Sequence, residues 1–139
     1  MGFRKASIFA VVGIAALLVT AVAQAACSQA DIGGEWQVYS TNTTNSGRGY
    51  RVECNLNVRK DGTLGDSICR SSSGKRAPVI NGRWILSNAG SCSYRGSFLW
   101  MTMPNQITQM TLSSDKRSGN GTGKFPDGQF TFTITKTSR

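Results

Sequence analysis

Tyr50, Val52, Cys54, Leu56 and Val58 alternate strictly with Arg51, Glu53, Asn55, Asn57 and Arg59. A period of two puts the first set on one face of an extended segment, so the pattern predicts a half-buried strand over 50–59. Three further runs behave alike. Ile80, Gly82, Trp84 and Leu86 alternate with Asn81, Arg83 and Ser87; Tyr94, Gly96, Phe98 and Trp100 with Ser93, Arg95 and Ser97; Phe130, Phe132 and Ile134 with Thr131, Thr133 and Thr135. Beyond the first 25 residues no window carries apolar residues at the i, i+3, i+4, i+7 spacing of an amphipathic helix over three turns. Turn chemistry separates the runs: Lys60-Asp61-Gly62-Thr63, Asn88-Ala89-Gly90-Ser91 and Pro126-Asp127-Gly128. The stretch 115–123 is Gly-rich and polar, and 41–49 and 71–78 are longer loops. Strands are expected at 35–40, 50–59, 64–70, 79–87, 92–102, 106–113, 121–125 and 129–136. Consecutive hairpins without a long crossover predict an all-β, antiparallel up-and-down barrel of about eight strands, its interior filled by side chains.

The first residues change this picture. Arg4 and Lys5, the apolar run 8–22 and Ala23-Gln24-Ala25 fit a secretory signal with a small-x-small cleavage site. About 15 apolar residues fall short of the roughly 20 a membrane-spanning helix needs. Residues 1–25 are therefore read as a cleaved signal peptide and 26–139 as one domain, periplasmic or secreted. Cleavage after Ala26 is the alternative. Gln24-Ala25-Ala26 lacks the Leu that a bacterial lipobox carries three positions before its Cys, which argues against a lipid anchor at Cys27. The whole chain has a net charge of +9; 26–139 holds 14 basic and 7 acidic residues, net +7.

Cys27, Cys54, Cys69 and Cys92 all follow the expected cut. An even count in a short exported chain reads as two disulfides, and the spacing lacks the paired C-x₂₋₄-C of a zinc site, so no metal is expected. A two-residue turn at Asp61-Gly62 puts Cys54 opposite Cys69. A three-residue turn with Gly62 left-handed instead pairs Val58 with Leu64 and leaves the cysteines as neighbours. The expected bridges are Cys54–Cys69 and Cys27–Cys92, with two other connectivities open.

The chain has no histidine, which excludes Ser-His-Asp and Cys-His catalysis and imidazole ligation. Asp61 and Asp127 sit in turns and Asp115 in a charged loop. Glu35, Glu53 and Asp66 fall on outward strand positions, not on the two sides of a cleft. The chain is expected not to be an enzyme and to need no cofactor. Basic residues are spread along the chain without interleaved exposed aromatics, so no specific nucleic-acid partner is expected.

Ile32-Gly33-Gly34-Glu35-Trp36-Gln37-Val38, Cys54-Asn55-Leu56-Asn57-Val58, the Asp61-Gly62-Thr63 turn, Cys69 and Gly82-Arg83-Trp84 together resemble the small periplasmic metalloprotease inhibitors of bacteria. The likeness covers roughly the first two-thirds of 26–139. It implies a lipocalin-like barrel, a disulfide at Cys54 and Cys69, and inhibition by an N-terminal segment inserted into the protease cleft. Only 26–33 precede the first strand here, and Cys27 pins them.

The expected function is an exported, monomeric, non-enzymatic binding protein for a secreted protease or another envelope macromolecule. The alternatives are a carrier of a small apolar ligand and a basic protein that associates with anionic envelope surfaces. Trp100, Met101 and Met103, with Trp36 and Trp84, are the candidate binding residues; two methionines before Pro104 make an adaptable contact.

Overall fold

Eight strands follow one another in chain order: β1 (Gly34–Thr44), β2 (Gly49–Val58), β3 (Ile68–Ser71), β4 (Arg76–Asn88), β5 (Ser93–Trp100), β6 (Met103–Leu112), β7 (Ser118–Phe125) and β8 (Gly128–Lys136). The structure is a computed structural model that describes residues 26–139; the expected signal peptide lies outside the described residues. Each strand pairs antiparallel with the next, and β8 returns to β1 from Trp36↔Lys136 to Thr44↔Gly128, closing the barrel. A short 3₁₀ turn, Gln29–Ile32, precedes β1. The predicted up-and-down barrel is therefore the observed fold, with both disulfides as expected: Cys27–Cys92 and Cys54–Cys69. Disulfides of this kind belong to an oxidising, extracellular or periplasmic environment.

The β2–β3 connection contains both registers that the hairpin allowed. Gly62 is left-handed (φ 88°), and Val58 bridges Leu64 as the three-residue turn requires. Cys54 nevertheless pairs with Cys69, the two-residue register. One extra residue between these points reconciles them: the Gly65 N–H reaches Asn57 O at 2.7 Å, while the Asn57 N–H goes to the Ser67 side chain. The irregular stretch shortens β3 to Ile68–Ser71, where the sequence predicted 64–70.

β1 runs on to Thr44 and β4 starts at Arg76, inside stretches expected as loops, and two further departures have local causes. β7 begins at Ser118, inside the stretch read as a Gly-rich loop. Gly119, Gly121 and Gly123 oppose Ile134, Phe132 and Phe130 across the β7–β8 ladder. A Cβ on Gly121 would lie 2.5 Å from the Phe132 ring, and one on Gly123 would collide with Phe130. Glycine is thus the complement of the large side chains on β8. In β4 the register slips between Ile80 and Arg83, with Asn81 at φ 53°. One inserted residue inverts the facing of everything beyond it. Gly82 and Trp84 point inward as predicted, but Val79 takes the inward place and Ile80, expected inside, lies on the outer wall at 50% exposure.

Candidate functional site

The two ends of the barrel differ. The 3₁₀ turn closes the end where β1 starts. Ile32 is fully buried beneath Trp36, whose Nε1 donates to Ile32 O at 2.8 Å. Cys27 is bonded to Cys92, and its N–H donates to Ala89 O. The Tyr94 hydroxyl donates to Ser28 O at 2.7 Å, and burial pushes the phenol up to about 12, helped by the nearby Asp31 charge. Gln29 bridges β4, donating to Trp84 O and accepting from the Leu86 N–H. Asp31 accepts from the Ser28 N–H at 2.7 Å and from Lys116 Nζ at 2.9 Å; the Ser28 bond above all holds its carboxyl below the ordinary value. Lys136 Nζ lies 4.9 Å from the Trp36 ring centre and donates to Asp31 O; burial lowers its pKa. Residues 26–33 are therefore a stopper fastened to four strands, not a free arm.

The other end carries only short loops, and beneath it lies a cavity of about 50 Å³. Val38, Val52, Leu56, Phe130 and Phe132 line it, with Ser40, Asn42 and Asn105 as polar contributions. A void of about 150 Å³ holds benzene, so this one admits only a few water-sized molecules. Trp84 and Trp100 both line it. Trp100 Nε1 donates to Ala77 O at 3.1 Å, whereas Trp84 Nε1 is buried among the described residues without a hydrogen-bond partner.

Met101 and Thr102 form the two-residue turn between β5 and β6 at this open end. Both have positive φ, 53° and 63°. A two-residue hairpin wants that geometry, but it is normally supplied by Asn-Gly or Asp-Gly; a β-branched residue there is strained. Met101 is exposed and Met103 half-buried, while Trp100 is buried in the rim. The structure thus gathers Trp100, Met101 and Met103 at one end, places Trp84 on the cavity wall, and puts Trp36 at the opposite end in the stopper. Trp36 and Trp84 are core residues and are not joined to the turn.

Sequence reasoning missed the outer wall of β3 to β5. Ile80 and Ile85 are exposed, and Arg70, Arg76, Arg83 and Arg95 stand on the same face. The signal was present in the β4 pattern, but the Asn81 bulge hid it. The carboxylates form no cleft pair: Glu35, Glu53 and Asp66 are all exposed, and Glu53 lies 3.6 Å from Arg70. Among the described residues no group of three or more acidic or Cys side chains is placed to hold a metal ion.

No protein-family model matches the chain, and no curated protein matches it. Among solved structures it is similar to a redesigned beta barrel, with TM-score 0.55 and 19% identity over 84% of this chain and 98% of that one. A second redesigned beta barrel, mFAP0, bound to DFHBI, gives TM-score 0.53 and 17% identity over 76% of this chain and 99% of that one. At such identities the likeness concerns the fold alone: the chain is a small closed antiparallel barrel.

Proposed function

We propose that this chain is an exported, non-enzymatic binding protein that meets another macromolecule with the tip of its β5–β6 hairpin, and that the partner is a secreted or periplasmic protease. The observation that carries this reading is the Met101-Thr102 turn, an exposed and strained pair where ordinary hairpin chemistry would place Asn-Gly. Strain held at a loop tip is a mark of function and costs stability. The resemblance of the Gly34-Glu35-Trp36 and Cys54–Cys69 region to periplasmic metalloprotease inhibitors supplies the partner class. The fastened stopper moves the contact away from the N-terminal segment and toward the open end. The test is inhibition of a panel of metallo-, serine and cysteine proteases by purified 26–139. Inhibition that is lost in Met101→Asn/Thr102→Gly supports the proposal. No inhibition of any class at micromolar protein rejects it.

A second reading, a carrier of a small apolar ligand, is favoured by the apolar lining of the cavity, and the unpaired Trp84 donor on its wall would suit a single acceptor atom on that ligand. The cavity is far below the roughly 300 Å³ at which drug-sized pockets begin. Native mass spectrometry of protein purified from its host decides it: a bound non-covalent mass supports the carrier, and an empty barrel removes it.

A further inference from the structure

The sequence spreads basic residues along the chain, but the barrel gathers them. Residues 48–95, which build β2 to the first half of β5, carry nine basic and three acidic side chains, net +6; the rest of 26–139 carries five basic and four acidic, net +1. These strands are neighbours, and their strand positions alone carry Arg51, Arg70, Arg76, Arg83 and Arg95 against Glu53, net +4, while β1 and β6 to β8 carry Lys124 and Lys136 against Glu35, net +1. Cross-strand register arranges it. Glu53, Arg70 and Arg76 form one outward row; Ile68 and Pro78 form the next; Ile80 and Leu99 follow; Arg83 comes below them; and Ile85 stands opposite Arg95. Of the four exposed large hydrophobic side chains among the described residues, Ile80 and Ile85 belong to this wall.

We infer that this half of the wall rests on an anionic phospholipid surface, with the arginines on the phosphates and Ile80, Ile85 and Leu99 between the headgroups. Three features favour this occupant. The aliphatic side chains are interleaved singly with arginines on a convex wall, an arrangement that a fluid headgroup layer can follow and a rigid protein face meets only along a line. A second copy of the chain would bring +6 against +6. A nucleic acid would want a series of exposed rings for stacking, whereas β3 to β5 offer aliphatics and only Tyr39, opposite Glu53 at the edge of the wall, presents an exposed ring among the described residues. The inference is independent of the protease reading, since it uses another face.

The experiment is co-sedimentation of 26–139 with vesicles of phosphatidylcholine alone and of phosphatidylcholine mixed with phosphatidylglycerol, at about 0.15 M salt. Binding is expected to the mixed vesicles only. Arg76→Glu and Arg83→Glu, made singly, should each lower partitioning about fivefold or more, while Lys124→Glu on the exposed face of β7, the same charge change, should lower it less than about twofold. Ile80→Ser/Ile85→Ser should weaken binding with all charges kept. Circular dichroism melts check that each variant is folded, as expected for exposed sites. Three results overturn the proposal: no binding to the mixed vesicles, equal losses for reversals on the two sides, or no effect of the isoleucine changes. Retention on immobilised polyglutamate without vesicle binding would assign the wall to an acidic protein and likewise overturn it.

Discussion

Removing the bridge that fastens the stopper should cost more than removing the bridge inside the β2–β3 hairpin. The perturbations are Cys27→Ala/Cys92→Ala and Cys54→Ala/Cys69→Ala. The first bridge closes a loop across a sequence separation of 65, the second across 15. Chain-entropy reasoning assigns about 4 kcal/mol to the long loop and about 3 kcal/mol to the short one. A second effect widens the gap. Cys54 and Cys69 stay paired through the strand ladder when their bridge is lost, whereas without Cys27–Cys92 the segment 26–33 keeps only its hydrogen bonds and Ile32. Single domains of this size are stable by about 5–15 kcal/mol, so either loss is large. Urea unfolding followed by tryptophan fluorescence measures both variants. The first should show the lower midpoint and a stopper that exchanges amide hydrogens faster than the strands. If it equals the wild type within about 1 kcal/mol, packing and not the bridge holds the stopper, and the entropy reasoning fails.

Three other expectations use the same closed and open ends. Trp36→Phe should destabilise by about 1–3 kcal/mol more than Trp84→Phe, because the first orphans the buried Ile32 carbonyl and the second removes a donor that has no partner; chemical denaturation compares them. Met101→Asn/Thr102→Gly should raise the melting temperature, relieving strain of about 1–3 kcal/mol at each position, and an unchanged or lower value would contradict the strain. The stopper should loosen at both pH extremes. Asp31 has a folded pKa below its unfolded value near 3.8, so its contribution is present above that value and is lost as pH falls through the folded pKa. Tyr94, raised from 10.0 to about 12, contributes fully below pH 10 and loses that contribution as pH rises toward 12. Asp31→Asn should flatten the acid limb of a stability profile and Tyr94→Phe the alkaline limb.

Much of the fold was legible because β2, β5 and β8 bury one face each, and a period of two survives in sequence wherever pairing is regular. The cysteine pairing was legible because the β2–β3 turn constrains it. What escaped lies where local chemistry and pairing disagree. The glycines of β7 look like a loop until the phenylalanines of β8 supply the reason for them. The bulge at Asn81 carries a signal in the Asn81-Gly82 pair, since Asn tolerates the left-handed region and a Gly inside a strand pattern marks a bulge, but the alternation alone runs through it and reads Ile80 as core. Charge clustering depends on which strands become neighbours, and a list of arginines in chain order does not contain that. Trp100, Met101 and Met103 were legible as a group because they are contiguous; the separation of Trp36 and Trp84 from them needed three dimensions.

The nested order of the bridges bears on how the molecule is made. A chain that emerges amino end first presents Cys27, then Cys54, then Cys69, and only last Cys92. The first two thiols to meet are not partners: Cys27 must stay unpaired, or pair wrongly and be released, until the chain has run through β4. Thiol–disulfide exchange without a catalyst is slow, so oxidative maturation of this barrel should depend on a disulfide isomerase. A chain halted during export with Cys54 emerged and Cys69 not yet emerged should carry a bridge between Cys27 and Cys54, which peptide mapping detects and isomerase should remove once the chain is released; free thiols at both positions would remove that dependence.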